Sequence, residues 1–199
     1  MTVESVMEGL DEHPYVRKLI DSGKYDISYP YQDVEEERKE YSLTSGILIS
    51  SGLISPTPMA LTTKREIIDE TGECELFVFY HLGPRICGHK GIIHGGLLAT
   101  LLDESLCRCG FQVLPHKVGV TASLNIQYCS PTPADSHIVL KAKTSKLDGR
   151  KVWVEGTTNV LPPPNEYDCL KELTVGTKAE LLAIEPKWAS KLTETGTAH

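Results

Sequence analysis

The feature that most constrains this fold is a helix that is apolar on nearly every side. From His94 to about Gly110 leucines recur at helical spacing, and the glycine is a plausible end: they are Leu97, Leu98, Leu101, Leu102 and Leu106. Such a helix has to be buried, because its apolar side chains would otherwise face water on several sides. The rest of the chain must supply the surface that covers it.

Short runs of β character flank this helix on both sides. Two strands are predicted before it, at 60–67 and 73–81, and four after it, at 118–128, 137–147, 151–160 and 173–184. Three of the later strands are consecutive and close enough to pair antiparallel, and Asp148-Gly149 signals a hairpin between 137–147 and 151–160. One curved sheet can bury the helix only by wrapping round it, so we expect an α+β fold with the helix held inside the sheet.

The length and composition predict one globular domain with extensions. The chain has 199 residues, 40% of them hydrophobic and 24% charged, as in ordinary folded proteins. We expect a helical or irregular N-terminal extension and linker over residues 1–58, the domain over 59–186, and a tail over 187–199.

Charge and cysteine usage exclude several classes of function. A net charge of −7 argues against nucleic acid as the main partner, and no apolar stretch approaches the roughly 20 residues of a membrane span. The visible N-terminus resembles neither a secretory signal nor a transit peptide. Six cysteines without a C-x-x-C pair indicate reduced thiols inside the cell, in the cytoplasm or a mitochondrion. His89 and His94 lack further ligands at suitable spacing, so no metal is expected.

The start of the apolar helix carries a possible site for an oxyanion. Gly95 and Gly96 allow close approach to the backbone, where the first N–H groups of a helix are unpaired donors at the positive end of its dipole. These donors could stabilise a developing negative charge. The two glycines could equally serve only for tight packing of the helix.

Asp103 decides between these interpretations. Helical spacing places it with Gly96, Thr100 and Cys107, on a face of small or apolar side chains that offers no cation. A carboxylate there is costly unless the protein uses it. Its neighbour Glu104 has Arg108 four residues later, which predicts a surface ion pair and a structural role.

Gly95 and Asp103 are too far apart on one helix to act on one carbonyl carbon. Eight residues separate them, which corresponds to about 12 Å along the helix axis. If both act together, they must come from different subunits. A two-fold dimer would bring the Gly95 end of one helix near Asp103 of the other and create two equivalent sites.

These residues carry a resemblance to a known family. The string HGG with Asp nine residues after the histidine resembles hotdog-fold thioesterases of the phenylacetate-pathway and 4-hydroxybenzoyl-CoA type. The continuation, TASLNIQY from Thr121, SP at 130–131 and LDGRKV from Leu147, is most similar to thioesterase superfamily member 4/5-like proteins and their fungal relatives. The likeness covers about residues 75–185. It implies a hotdog fold, homodimers that can pair into tetramers, and hydrolysis of acyl-CoA without a metal or organic cofactor.

The resemblance also implies roles for four residues. Gly95 would donate its backbone N–H to the thioester carbonyl, and Asp103 would act as general base or as nucleophile. His94 would shape the helix start. Thr121 matches a family Ser or Thr that orients the attacking water.

Substrate contacts are implied at further positions. Gly96 would let the substrate approach; His89 would replace an Asn or Gln that relatives have where this chain has Gly88, unless that contact is absent; and Cys107 stands where some relatives have Thr. Cations at the 148–149 turn could bind the phosphates of coenzyme A or could form a solvated hairpin tip: Lys146, Arg150 and Lys151. Tyr128 and Trp153 could line an acyl tunnel or belong to the core.

Three functions follow from the sequence. The spacing of the HGG motif and Asp103 favours a thioesterase acting on an acyl-CoA. The resemblance favours a medium- or long-chain fatty acyl group as the substrate. A hydratase or dehydratase of the same fold would need a differently placed acid–base pair. A non-catalytic acyl-CoA-binding, lipid-binding or regulatory protein would not need Asp103.

Overall fold

The structure, a computed structural model, describes residues 10–190. Its elements in chain order are α1 (Pro14–Asp21), β1 (Tyr25–Ser28), α2 (Glu36–Lys39), a π-helix (Leu43–Leu48), β2 (Met59–Thr63), α3 (Arg65–Thr71), β3 (Glu75–Leu82), a 3-10 turn (Pro84–Ile86), β4 (Cys87–His89), β5 (Ile92–Ile93), α4 (Gly95–Phe111), β6 (Val120–Tyr128), β7 (Ser136–Asp148), β8 (Lys151–Leu161) and β9 (Val175–Ile184).

One antiparallel sheet of seven strands contains the six predicted strands, the first of them only as far as Thr63. Its order is β1-β2-β3-β7-β8-β9-β6, and β4 and β5 form a separate small hairpin. The predicted turn at Asp148-Gly149 joins β7 and β8, and β7, β8 and β9 pair in succession. β6 pairs with β9 at the edge of the sheet rather than with β7, its neighbour along the chain.

Helix α4 lies inside this sheet, which confirms the predicted α+β hotdog arrangement. Its leucines are buried, three of them completely: Leu101, Leu102 and Leu106. Gly156 of β8 allows the close contact, because a Cβ there would lie 2.7 Å from Leu106 Cδ1 and 2.8 Å from the Lys141 carbonyl oxygen. Gly110 does not end the helix, which continues to Phe111; it lies against β8, where a Cβ would be 2.9 Å from Val154 Cγ2.

The first predicted strand is wrong at its C-terminal end. The strand stops at Thr63, and residues from Arg65 form α3, which ends at Gly72 in the left-handed conformation with φ of 71°. Arg65 and Asp69 pair across one turn of this helix, and Ile68 is its buried residue. This spacing of charged and apolar residues fits the helical period rather than the alternation of a strand.

The N-terminal segment takes part in the sheet. Strand β1 pairs with β2, and α1 packs on the sheet face opposite α4. There Val16 joins a buried cluster of Leu10, Met59, Leu61, Phe79, Val139 and Leu161. The boundary at residue 58 stays a prediction, and the parts of the extension and tail at 1–9 and 191–199 lie outside the described residues. No helix within residues 10–190 is long and apolar enough to cross a bilayer.

Candidate active site

His94 organises the N-terminus of α4. Its Nδ1 accepts a hydrogen bond of 2.9 Å from the Gly96 N–H, and its own backbone N–H donates to the Ile86 carbonyl at 3.0 Å. The Gly96 N–H is therefore occupied by the cap. The Gly95 N–H has no acceptor among the described residues, so it is the free donor at this helix end.

Tyr128 of β6 closes over the same helix start. Its hydroxyl donates to the Gly95 carbonyl oxygen at 2.9 Å, and a Cβ on Gly95 would lie 3.1 Å from Tyr128 Cε1. Because Tyr128 is 55% exposed, it is not a core residue. The sequence left Tyr128 open between a tunnel wall and a core residue; its hydrogen bond to Gly95 spans 33 positions and leaves no local pattern.

Asp103 and Thr121 are in direct contact. The Thr121 hydroxyl donates a hydrogen bond of 2.7 Å to Asp103 Oδ1. Thr121 lies near the start of β6, beside an irregularity in its pairing with β9 between Thr121 and Ser123. β6 thus brings a hydroxyl to the one carboxylate on this face of α4, and the predicted role of Thr121 in orienting water stays a prediction.

Cys107 extends this contact by one more hydrogen bond. Its Sγ lies 3.1 Å from Thr121 Oγ1. Burial raises the pKa of the Cys107 thiol to about 11, with a contribution from the charge of Asp103, so the sulfur keeps its proton at neutral pH. The single hydroxyl hydrogen of Thr121 is already donated to Asp103. The Cys107 thiol must therefore be the donor in its hydrogen bond to Thr121 Oγ1.

Glu104 does not form the predicted ion pair with Arg108. Its two carboxylate oxygens accept hydrogen bonds from the Tyr31 and Thr44 hydroxyls instead. The Arg108 guanidinium lies over the Tyr31 ring, 5.8 Å from its centroid. The reason is that residues 29–54, here called the strap, cross α4 at this point. The strap hydroxyls take the place that water would have at the Glu104 carboxylate.

A family model described as "Thioesterase superfamily" matches residues 90–157. A Candida albicans (strain WO-1) protein named "Uncharacterized protein, mitochondrial" is 34% identical over 188 residues, which are 93% of this chain and 78% of the relative. The chain belongs to the thioesterase superfamily. This membership confirms the family that the HGG motif and the β6 sequence predicted.

Other relatives of this thioesterase-superfamily chain match over shorter lengths. The MIOREX complex component 3 of Saccharomyces cerevisiae is 36% identical over 131 residues, 66% of this chain and 46% of the relative. The mouse (Mus musculus) acyl-coenzyme A thioesterase THEM4 is 36% identical over 85 residues, 43% of this chain and 36% of the relative. The chain therefore spans less than half of either of these two relatives.

The small β4–β5 hairpin explains the glycine at position 88. A Cβ on Gly88 would lie 3.1 Å from His94 Cδ2, so a larger side chain would press on the residue that caps α4. His89 follows on the same strand, where it is exposed. Its predicted substrate contact stays a prediction.

The predicted cations lie at the sheet end that carries Thr121. The strand register aligns Val120, Ile184 and Lys151 in one row, which puts Lys151 about 10 Å from Val120 across two strand spacings. Lys146 Nζ lies over the Trp153 ring at 4.7 Å from its centroid. One nitrogen of the Arg150 guanidinium is already hydrogen-bonded within the subunit, because Nη1 donates to the Glu185 carbonyl oxygen at 2.8 Å.

A groove of about 690 Å³ lies elsewhere, on the sheet face turned away from α4. Its rim carries lysines and glutamates in comparable number, including Lys141, Lys178, Glu155 and Glu180, and none of the predicted site residues. Within residues 10–190 no group of three or more His, Cys, Asp or Glu side chains is arranged to hold a metal. The expected independence from metals and organic cofactors stays a prediction.

Proposed function

We propose that this protein is an acyl-CoA thioesterase that hydrolyses a medium- to long-chain fatty acyl-CoA to the free acid and coenzyme A. The observation that carries the proposal is the hydrogen bond from Thr121 to Asp103 on the accessible face of α4. The mouse relative's name, acyl-coenzyme A thioesterase, supports the same substrate class.

The contacts of Asp103 suggest how the reaction would run. Thr121 occupies Oδ1, which leaves Oδ2 to accept a proton from water. The resulting hydroxide attacks the thioester carbonyl carbon, and the free Gly95 N–H stabilises the oxygen that becomes negative. The C–S bond then breaks, and the coenzyme A sulfur takes the proton from Asp103. In the alternative, Asp103 attacks the carbonyl itself, and water hydrolyses the anhydride.

The site is completed by a second copy of the chain. α4 is one continuous helix, so Gly95 and Asp103 remain about 12 Å apart within a subunit. β6 is an edge strand with an unpaired side, and its ends expose Val120 and Tyr128. Pairing of this edge with a second copy would bury it and bring Gly95 of one subunit to Asp103 of the other. Two such dimers could pair further into a tetramer.

Release of free thiol from acyl-CoA substrates tests the activity. Wild-type protein is expected to release coenzyme A, and Asp103→Asn to lose about 100-fold or more in kcat, because the amide cannot accept the proton. Asp26→Asn is the matched control, because Asp26 is exposed on β1. If no acyl-CoA yields thiol with the wild-type protein, the binding or regulatory role is favoured instead.

Mixing of two inactive variants tests the shared site. Gly95→Pro removes the N–H at the first helical position, where proline is tolerated, while Gly95→Ala adds a Cβ and keeps the N–H. Co-expression of Gly95→Pro with Asp103→Asn is expected to restore about a quarter of wild-type activity, since half the dimers would be mixed and each would hold one intact site. No recovery on co-expression, with active Gly95→Ala, would contradict the two-subunit site.

Two further assignments belong to this proposal. Lys146 and Lys151 would bind the phosphates of coenzyme A, which the KM of a Lys146→Ala, Lys151→Ala double variant would test.

The name of the Candida relative favours the mitochondrion over the cytoplasm for this chain. Separation of mitochondria from cytosol, with detection of the protein in each fraction, would test the location.

A further inference from the structure

We propose that the strap forms the wall that binds the acyl chain, with Leu43 and Ile47 as the residues that select chain length. This inference rests on the proposed thioesterase function and assigns the substrate-selecting surface of the same site.

Two neighbouring faces of α4 have different partners. Gly96, Thr100, Asp103 and Cys107 recur at intervals of four and three residues, so they share the face that carries Asp103. One step further round the helix, the same spacing joins Leu97, Leu101, Glu104 and Arg108, and here Glu104 and Arg108 meet Tyr31 and Thr44 of the strap. The Asp103 face therefore lies between β6, which contributes Thr121, and the strap, which contributes Thr44.

The strap is fixed in place along its length. Thr44 is almost completely buried where its hydroxyl meets Glu104, and burial raises the pKa of Tyr31, which keeps its proton for the same carboxylate. At the other end Ile54 is buried and bridges to Leu82 of β3. A segment held at both ends can present side chains in a defined position.

Two large aliphatic side chains on this fixed segment face solvent. Leu43 is 54% exposed and Ile47 is 62% exposed, although both belong to the π-helix that contains the buried Thr44. They are four residues apart and lie on nearly the same side of that short helix. Exposed apolar groups grouped beside a site mark a surface that a ligand covers.

The acyl chain is the occupant that fits this surface. Thr44 contacts Glu104, the residue after Asp103, and Leu43 precedes Thr44 in the chain, so we place the acyl chain along this side of the strap. The side of α4 toward the sheet is occupied by buried leucines. Leu43 and Ile47, which precede and follow Thr44 on the strap, are exposed, and an apolar chain covering them would gain contact as its length grows.

Hydrolysis of acetyl-CoA, octanoyl-CoA and palmitoyl-CoA by a Leu43→Ser, Ile47→Ser double variant tests this wall. We expect kcat/KM for palmitoyl-CoA to fall about tenfold or more, octanoyl-CoA less, and acetyl-CoA to stay unchanged. Leu170→Ser is the control, since Leu170 is 91% exposed in the segment between β8 and β9. Light scattering on the same samples reports the mass of the assembly.

The outcomes separate this inference from the proposed function. Wild-type activity with an unchanged chain-length profile in the double variant would overturn the acyl wall and leave the thioesterase standing. An equal loss on all three substrates together with a smaller assembly would also overturn it, because the two residues would then cover a second copy. Absence of thiol release by the wild-type protein would overturn both proposals.

Discussion

At the scale of single residues, three side chains form an ordered series of hydrogen bonds. The Cys107 thiol donates to Thr121, and Thr121 donates to Asp103. Each donor has one hydrogen, so the direction of the series is fixed by the acceptor-only carboxylate at its end. Cys107 thereby holds the Thr121 hydroxyl toward Asp103, while its predicted substrate contact stays a prediction.

Replacement of Cys107 tests this positioning role. Cys107→Ala removes the donor, and we expect kcat to fall about fivefold while KM stays within twofold, in line with the loss of one neutral hydrogen bond. Cys107→Ser keeps a donor and is expected to retain most of the activity. Equal kcat values for Cys107→Ala and wild type would show that Thr121 holds its orientation alone.

At the scale of elements, the fold depends on the close contact of α4 with β8. Gly156 of β8 faces α4, and Gly110 of α4 faces β8. Neither residue has a side chain that would separate the helix from the sheet. The helix can therefore approach the sheet closely enough for its leucines to be fully buried.

Gly156→Ala is expected to lower the free energy of unfolding by about 1–3 kcal/mol. Its Cβ would press on Leu106, whose side chain can move, and on the Lys141 carbonyl oxygen, which is part of the backbone of β7 and cannot. Urea denaturation followed by circular dichroism measures the change. Unaltered stability would mean that β7 and β8 adjust their spacing without cost.

The elements themselves were accessible from the sequence, whereas several of their contacts were not. The leucine spacing of α4 and the alternation in β3 and β6–β9 are local patterns, so they predicted helix and strands correctly. The hydrogen bond between Tyr31 and Glu104 spans 73 positions, and no local period encodes it. For this reason Glu104 was assigned to Arg108, the one partner that helical spacing offers.

For the candidate site, the short HGG motif and its spacing name Gly95 and Asp103, and the family resemblance names Thr121; the roles of these residues stay predictions. Tyr128 over Gly95 and the thiol of Cys107 on Thr121 depend on how β6 passes the helix, which is set by its place at the edge of the sheet beside β9. That place depends on the wrapping of the whole sheet.

At the scale of the whole molecule, the outer sheet face contains a group of histidines that ties stability to pH. The His81 and His137 rings lie 4.9 Å apart, and His81 Nε2 is 3.3 Å from Asp135 Oδ1. Burial lowers the pKa of His137 to about 4, with contributions from His81 and His13. The folded protein therefore keeps His137 neutral at pH values where an unfolded chain would protonate it.

Stability is expected to fall as the pH is lowered from about 6.5 toward 4. In this range the unfolded state binds more protons at His137 than the folded state, so acid favours unfolding, by about 2 kcal/mol after allowance for partial exposure. Urea denaturation at pH 7 and pH 5 measures the difference. In His137→Phe the difference should shrink, and an unchanged pH dependence in that variant would assign it to other groups.

The open side of β6 has a consequence for how the activity would be controlled. Gly95 and Asp103 are held apart on one continuous helix. A lone subunit would therefore contain both residues but no complete active site. Specific activity would then fall on dilution below the dissociation constant of the pair. The amount of protein present would set not only how many sites exist but what fraction of them is assembled.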